Sequence, residues 1–170
     1  MITPLREPLP PPRIVPTNTE AEQRVLGAML CDNRLFDYSE ILRPEHFVSY
    51  AVHGRIFEAV RKVIERGAVA DPVTLKPIFD QDPALAEIGG ARYLIQLAVA
   101  GATTVIEVKD YALAVYECYM RREIIALGEE EIAVAYRNDP FDPPHEQIER
   151  LEAGCVDWPK AAKPARAFSG

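Results

Sequence analysis

The longest uninterrupted helical pattern in the chain runs from Val105 to Asn138. It contains no proline and only one glycine, Gly128, so it can form a single helix of about 50 Å. Apolar positions recur at alternating spacings of three and four, which is the period of one helix face. This stripe comprises Val108, Tyr111, Ala112, Val115, Cys118, Tyr119, Arg122 and Ile125. Because a helix of this length extends beyond a small domain, part of the stripe must find cover elsewhere.

A turn rich in proline, residues 139–144, follows the long helix, and a second helical pattern runs from His145 to Ala153. The two patterns predict a long helical hairpin that protrudes from a compact body. We expect part of its apolar surface to face the second hairpin helix and part to face a partner hairpin, with tyrosines as anchors because aromatic residues concentrate interface energy. The interface candidates are Val108, Tyr111, Val115, Cys118, Tyr119, Arg122, Ile125, Ile148 and Leu151.

Shorter helical patterns precede the hairpin, with apolar residues in phase on one face of each. They begin near Thr19, run over Asn33–Leu42, from Ser49 to Gly67, from Pro72 to about Asp80 and over Ala91–Ala100, with one or two further turns at residues 82–88. No segment alternates polar and apolar residues between turn signals, so no sheet is expected. The predicted fold class is all-α: a compact globule of five or six short helices followed by a long protruding helical hairpin.

Local signals predict where several helices begin. Thr19 and Glu22 have the spacing of a capping box. Asp71 precedes a proline and is typical of an N-cap, and Thr104 is placed to cap the long helix. His53 falls on the inner face of its helix, where we expect its ring nitrogens to be hydrogen-bonded locally.

The distribution of proline and of apolar residues divides the chain into four parts. Residues 1–16 hold six of the fifteen prolines and predict a disordered, extended arm; a proline-rich docking ligand is the alternative. Residues 17–103 form the helical globular subdomain and residues 104–153 the hairpin. Residues 154–170 have little to bury and predict a disordered tail.

The formal net charge of −7 argues against a broad basic surface that clamps a nucleic-acid duplex, because phosphate neutralisation supplies much of that affinity. Arg121, Arg122 and Arg137 nevertheless place a small basic patch on the long helix. Ion pairs on a solvated face or an interface are one interpretation of this patch. Contacts with nucleic acid or a partner are the other.

Motifs that carry chemistry are missing from the sequence. No phosphate-binding loop occurs, the three histidines lack metal-ligand spacing, and no serine lies in a nucleophile elbow. The chain is therefore not expected to be an enzyme or to hold a metal or cofactor.

Three widely spaced cysteines, Cys31, Cys118 and Cys155, suggest reduced thiols in a cytoplasmic protein. No apolar run approaches the length of a membrane span.

Taken together, the segments resemble the N-terminal domain of bacterial replicative DNA helicases of the DnaB type, over about residues 16–138. The opening matches in Pro16-x-Asn18-x-Glu20-Ala21-Glu22-Gln23-x-Val25-Leu26-Gly27-Ala28. The later landmarks, in the family's order, are Phe47, His53-x-x-Ile56-Phe57, Gly67-x-x-x-Asp71-x-Val73-Thr74-Leu75, Ile88-Gly89-Gly90-x-x-Tyr93-Leu94, Tyr111-Ala112 and Arg121-Arg122.

The resemblance implies a non-catalytic domain in which hairpins pair into dimers and three dimers form a collar over a hexameric ATPase ring. Such a collar admits single-stranded DNA and docks primase, and helicase loaders engage the helicase as well. ATP and Mg²⁺ would belong to the ATP-dependent 5′–3′ helicase motor, whose phosphate-binding loop this sequence does not contain. The second hairpin helix looks short for the family.

Three functions follow as hypotheses. The first is oligomerisation and docking of primase or loader as part of a replicative helicase. The second is a stand-alone regulator that joins the helicase or titrates primase. The third is a weak module for binding single-stranded nucleic acid through the arginines.

Overall fold

The computed structural model describes residues 13–101 and 104–156, with side chains to residue 153 in the last helix. All regular structure in these residues is helical, which confirms the all-α fold. The α-helices are α1 (Thr19–Cys31), α2 (His53–Glu65), α3 (Pro72–Phe79), α4 (Pro83–Glu87), α5 (Ala91–Ala100), α6 (Val105–Arg137) and α7 (Pro144–Val156). Two 3₁₀ helices, Asn33–Ser39 and Pro44–His46, connect α1 to α2.

Helix α1 lies at the centre of the globule and packs against α5, α6 and the first 3₁₀ helix. Its apolar face is buried, with Val25, Leu26 and Met29 inaccessible to solvent. Closest approach to α5 occurs at Gly27, where an added Cβ would lie 1.9 Å from the carbonyl oxygen of Leu97. A glycine is required here because two backbones are in contact.

Two of the predicted helix starts are confirmed and one is wrong. Asp71 caps α3 through the amide of residue 73, and Thr104 forms a capping box at the start of α6. At α1, however, the side chain of Asn18 accepts from the amide of Ala21 at 3.0 Å. Glu22, predicted to complete a capping box with Thr19, is instead only 1% exposed and points into the globule.

Helix α6 is one continuous element of 33 residues. It ends at Arg137, and the C-cap residue Asn138 has a left-handed backbone (φ 49°, ψ 45°) that reverses the chain, as asparagine tolerates better than most residues. The predicted turn follows, and α7 then runs to Val156, three residues beyond the predicted end. The second hairpin helix is therefore longer than the sequence pattern indicated.

The predicted arm and tail fall largely outside the described residues, since residues 1–12 and 157–170 are not among them. Residues 13–17, which are described, have no regular secondary structure. Within the described ranges no single helix is long and apolar enough to cross a membrane, although α5 and α6 taken together as a bent pair meet the length and composition test.

Candidate interaction surfaces of the hairpin

One face of the first half of α6 is covered by the globule. Val108, Ala112, Val115 and Tyr116 are buried, with Val108 in a cluster beside Leu35 of the first 3₁₀ helix. The prediction that Val108 and Val115 face a partner or the second hairpin helix is therefore corrected. The apolar stripe has the predicted period, but its first half covers the protein's own core.

Tyr119 lies at the junction of hairpin and globule. Its ring stacks on that of His46, with 4.1 Å between ring centroids. The Nδ1 atom of His46 accepts a hydrogen bond from the amide of Arg43 at 3.1 Å. Burial lowers the pKa of His46 to about 4, so the ring is neutral at neutral pH. Tyr119 thus anchors α6 to the connector that precedes α2 (residues 40–52). Only the exposed part of the Tyr119 side chain is accessible to a partner.

Tyr111 and Cys118 occupy similar intermediate positions. Tyr111 packs against the edge of the core, and Cys118 is half-buried with a free thiol. The side chain of Cys155 lies outside the described side chains. Tyr111 and Cys118, in the middle of the predicted stripe, therefore lie at the periphery of the globule. Their exposed parts are accessible to a partner at the edge of an interface.

The guanidinium of Arg122 is engaged by the protein's own backbone. It donates to the carbonyl oxygen of Pro16 and to that of His46, both at 2.9 Å. Because the two carbonyls belong to segments distant in sequence, the side chain of Arg122 holds residue 16 and the connector against α6.

The other two arginines of the predicted basic patch are both exposed. Arg121 lies 3.5 Å from Glu117, and Arg137 is in the last turn of α6.

We therefore expect Arg122→Ala to lower the free energy of unfolding by about 2 kcal/mol, the range for charged hydrogen bonds. Arg121→Ala is the matched control, because exposed ion pairs contribute only about 0–1 kcal/mol. Urea unfolding of both variants measures the difference. Equal losses for the two variants would contradict the structural role assigned to Arg122.

The second half of the hairpin exposes apolar side chains to solvent. They are Ile124, Ile125, Ile132, Tyr136, Phe141 and Ile148. Contact between α6 and α7 is sparse and includes a polar anchor, in which Gln147 donates to the carbonyl oxygen of Glu131 at 2.7 Å. Leu151 is partly buried. Of the predicted candidates, Ile125 and Ile148 are thus available to a partner, and the exposed Ile132 and Tyr136 were missed.

A buried polar network, also missed, joins α1, α2 and α5. A carboxylate oxygen of Glu22 lies 2.7 Å from Nδ1 of His53, whose Nε2 lies 2.7 Å from the hydroxyl of Tyr93. Glu22 also accepts from the amides of Val48 and Ser49 and from the Ser49 hydroxyl, at 3.2, 3.2 and 2.8 Å. Burial raises the pKa of Tyr93, so its hydroxyl keeps the proton that it can donate to His53.

This network resembles the carboxylate–imidazole–hydroxyl chains of hydrolases, but its geometry serves the fold. Glu22 and His53 are 1% and 0% exposed, so a substrate cannot reach them. The partners of His53 are 31 and 40 residues away, which corrects the expectation of local hydrogen bonds. A signal was present, because Glu22 shares the helical phase of Val25, Leu26 and Met29.

Comparison with known proteins gives one consistent result. A family model described as "DnaB-like helicase N terminal domain" matches residues 14–117. The chain is 38% identical over 162 residues to the replicative DNA helicase DnaB of Rickettsia felis, covering 95% of this chain and 32% of that protein. It is 43% identical over 114 residues to the DnaB of Geobacillus stearothermophilus, covering 66% and 25%. The chain spans about a third of the length of the curated relatives it matches.

Solved structures agree with the sequence comparison. The N-terminal domain of DnaB helicase from Mycobacterium tuberculosis superposes with a TM-score of 0.70 at 30% identity, covering 85% of this chain and all of that one. A DnaB-like replicative helicase, described together with its interactions with primase, gives a TM-score of 0.61 at 27% identity and covers 85% and 32%.

Proposed function

The chain belongs to the DnaB-like helicase N-terminal domain family, and we propose that it assembles a replicative DNA helicase by pairing its hairpin with that of a second copy. Three such dimers would form the collar that the family resemblance implies. In this proposal ATP, Mg²⁺ and strand separation belong to a motor region in the remaining length of the relatives, of which the chain covers 32%. The expected compartment is the cytoplasm.

One observation carries the proposal: the half of the hairpin that extends past the globule leaves apolar side chains uncovered. Ile125 and Ile132 are seven residues apart and so lie on one face of α6, and both are exposed. Their exposed fractions are 42% and 57%. A second hairpin laid on this face would bury about 800 Å² per protomer if the interface is of standard size.

Ile132→Glu tests this pairing. The substitution places a carboxylate at the centre of the proposed interface, where it loses apolar burial and incurs desolvation. We expect the dissociation constant of the dimer to rise about 30-fold, which corresponds to about 2 kcal/mol. Sedimentation equilibrium over a wide concentration range measures this constant.

Ile106→Glu is the matched control, because Ile106 is on the same helix and is 73% exposed but lies beside the globule rather than on the overhang. It should dimerise like the unmodified chain. An unmodified chain that stays monomeric at high concentration, or equal constants for the two variants, would refute hairpin pairing.

Docking of primase or of a helicase loader is the second part of the proposal. Only the primase part has support, from the similarity to the DnaB-like helicase described with its interactions with primase. Calorimetric titration of the chain with the helicase-interaction domain of the cognate primase measures this docking, and the absence of heat with a folded, dimeric chain would remove it. A stand-alone regulatory role would use the same hairpin pairing and the same docking of primase.

Nucleic-acid binding is the weaker alternative. Two of the three arginines on which that hypothesis depended have partners in the protein, since Arg122 binds backbone carbonyls and Arg121 lies beside Glu117. Passage of single-stranded DNA through a collar does not require a basic patch on each protomer.

A further inference from the structure

Residues 13–16, which precede α1, are held against α6 where its protruding half begins. The carbonyl oxygen of Pro16 accepts a hydrogen bond from Nη1 of Arg122 at 2.9 Å. Nη2 of the same guanidinium donates to a second backbone carbonyl, also at 2.9 Å, so the side chain is fixed between two backbone segments. At the other end of the segment, Nη1 of Arg13 lies 3.7 Å from Oε1 of Glu129.

Two large apolar side chains of this segment face solvent. Ile14 is 85% exposed and Val15 is 60% exposed, although both lie within about 7 Å of Pro16 because they are its nearest neighbours in the chain. Neither belongs to the apolar core of the described residues. Contiguous exposed apolar surface marks an interaction site, whereas single exposed side chains do not. The surface beside this pair therefore decides its meaning.

The exposed apolar face of α6 lies next to the segment. At about 100° per residue, Ile125, Ile132 and Tyr136 are about 40–80° around the helix from Arg122, all on one flank. Their exposed fractions are 42%, 57% and 87%. Helix α7 donates a hydrogen bond to the carbonyl oxygen of Glu131, which is about 180° from Arg122. It therefore lies on the other side of α6 from residues 13–16.

We propose that residues 13–16 form part of the surface that receives a second copy of the chain, with Ile14 and Val15 packed against the partner's α6. The inference rests on the proposed hairpin pairing and adds a contact outside the hairpin. The axes of packed helices are about 8–10 Å apart, so a helix laid on the exposed face of α6 also extends over a segment bound at the edge of that face. Arg122 is then a positioning residue, because it holds the segment in place.

A second copy is the proposed occupant because the face of α6 alone is small. Its three large side chains bury at most roughly 600 Å², since even aromatic residues bury about 150–250 Å² each. A standard interface buries about 800 Å² per protomer. Ile14 and Val15 lie beside that face and supply further apolar area.

Sedimentation equilibrium of the full chain tests the contact. Ile14→Ala with Val15→Ala removes the two side chains and leaves the carbonyl group of Pro16 in place. We expect the dissociation constant of the dimer to rise about tenfold, which corresponds to about 1.4 kcal/mol. Ile95→Ala with Val99→Ala is the matched control, because it removes the same two side-chain types from α5, where they are 56% and 84% exposed. The control should dimerise like the unmodified chain.

Arg122→Ala tests whether the position of the segment matters. Loss of the hydrogen bond to Pro16 should itself raise the dissociation constant several-fold. In that background Ile14→Ala with Val15→Ala should add less than about twofold, because the two changes affect one contact and are not additive. Circular dichroism verifies that each variant keeps its helical content.

The outcomes separate this contact from hairpin pairing. If the unmodified chain dimerises and Ile14→Ala with Val15→Ala leaves the constant unchanged, or raises it no more than the control does, the contact is refuted and pairing stands. A tenfold effect that persists with Arg122→Ala overturns the positioning role of Arg122. An unmodified chain that stays monomeric refutes pairing, and this contact with it.

Discussion

Glu22→Ala should lower the free energy of unfolding by about 3–5 kcal/mol, because it removes the acceptor that several buried donors share. The substitution leaves Nδ1 of His53, the Ser49 hydroxyl and the amides of Val48 and Ser49 without their acceptor. Each buried donor that loses its acceptor costs about 1–3 kcal/mol, and water entering the cavity offsets part of the sum. For a domain with a total stability of about 5–15 kcal/mol, this loss is large.

Chemical denaturation with circular dichroism measures the effect. Glu20→Ala is the matched control, because Glu20 is on the same helix, is 75% exposed and pairs with Arg24 at 3.6 Å; its loss should stay below about 0.5 kcal/mol. Comparing Glu22→Ala, His53→Ala and the double variant gives the coupling energy. Additive losses at the two positions would show that the 2.7 Å contact does not hold the helices together.

Gly27→Ala is expected to destabilise the fold by about 3 kcal/mol, at the upper end for overpacked cores. The new methyl group would lie 1.9 Å from the carbonyl oxygen of Leu97 and 2.7 Å from Cα of Gly101. Both obstacles are backbone atoms, so no side-chain rotation relieves the contact. α1 and α5 would have to separate, and every apolar contact between them would loosen.

Gly128→Ala is the opposite case on a helix of the same chain. A Cβ at Gly128 meets no atom within 4 Å, and alanine is favoured over glycine in a helix interior by about 1 kcal/mol. We therefore expect this variant to be more stable than the unmodified chain. Thermal unfolding of both variants compares the two effects, and a Gly27→Ala protein as stable as the parent would contradict the close packing of α1 on α5.

Features that depend on neighbouring residues could be predicted from the sequence. Thr104 caps α6 as expected, because a capping box involves residues only three positions apart. The absence of proline between residues 105 and 137 was enough to predict one long helix, and helical periodicity throughout predicted the all-α fold.

Features that depend on distant residues could not be predicted. The role of Glu22 is determined by groups on the connector and on α2, 26 to 31 residues away, so the local spacing to Thr19 was misleading. Helical phase showed that Val108 and Val115 need cover but not what covers them. Arg122 looked like part of a basic patch because its partners are carbonyl groups, which every residue carries and no sequence pattern marks.

The uninterrupted course of α6 has a mechanical consequence. One face of its first half is buried against the globule and its second half carries exposed isoleucines, and no proline lies between the two halves to kink the helix. Any twist or tilt imposed on the protruding half is therefore transmitted as a rigid-body movement of the globule. When two hairpins pair, the angle at which they cross would also set the angle between the two globules. The arrangement of globules in a larger ring would therefore depend on the crossing angle of the α6 helices.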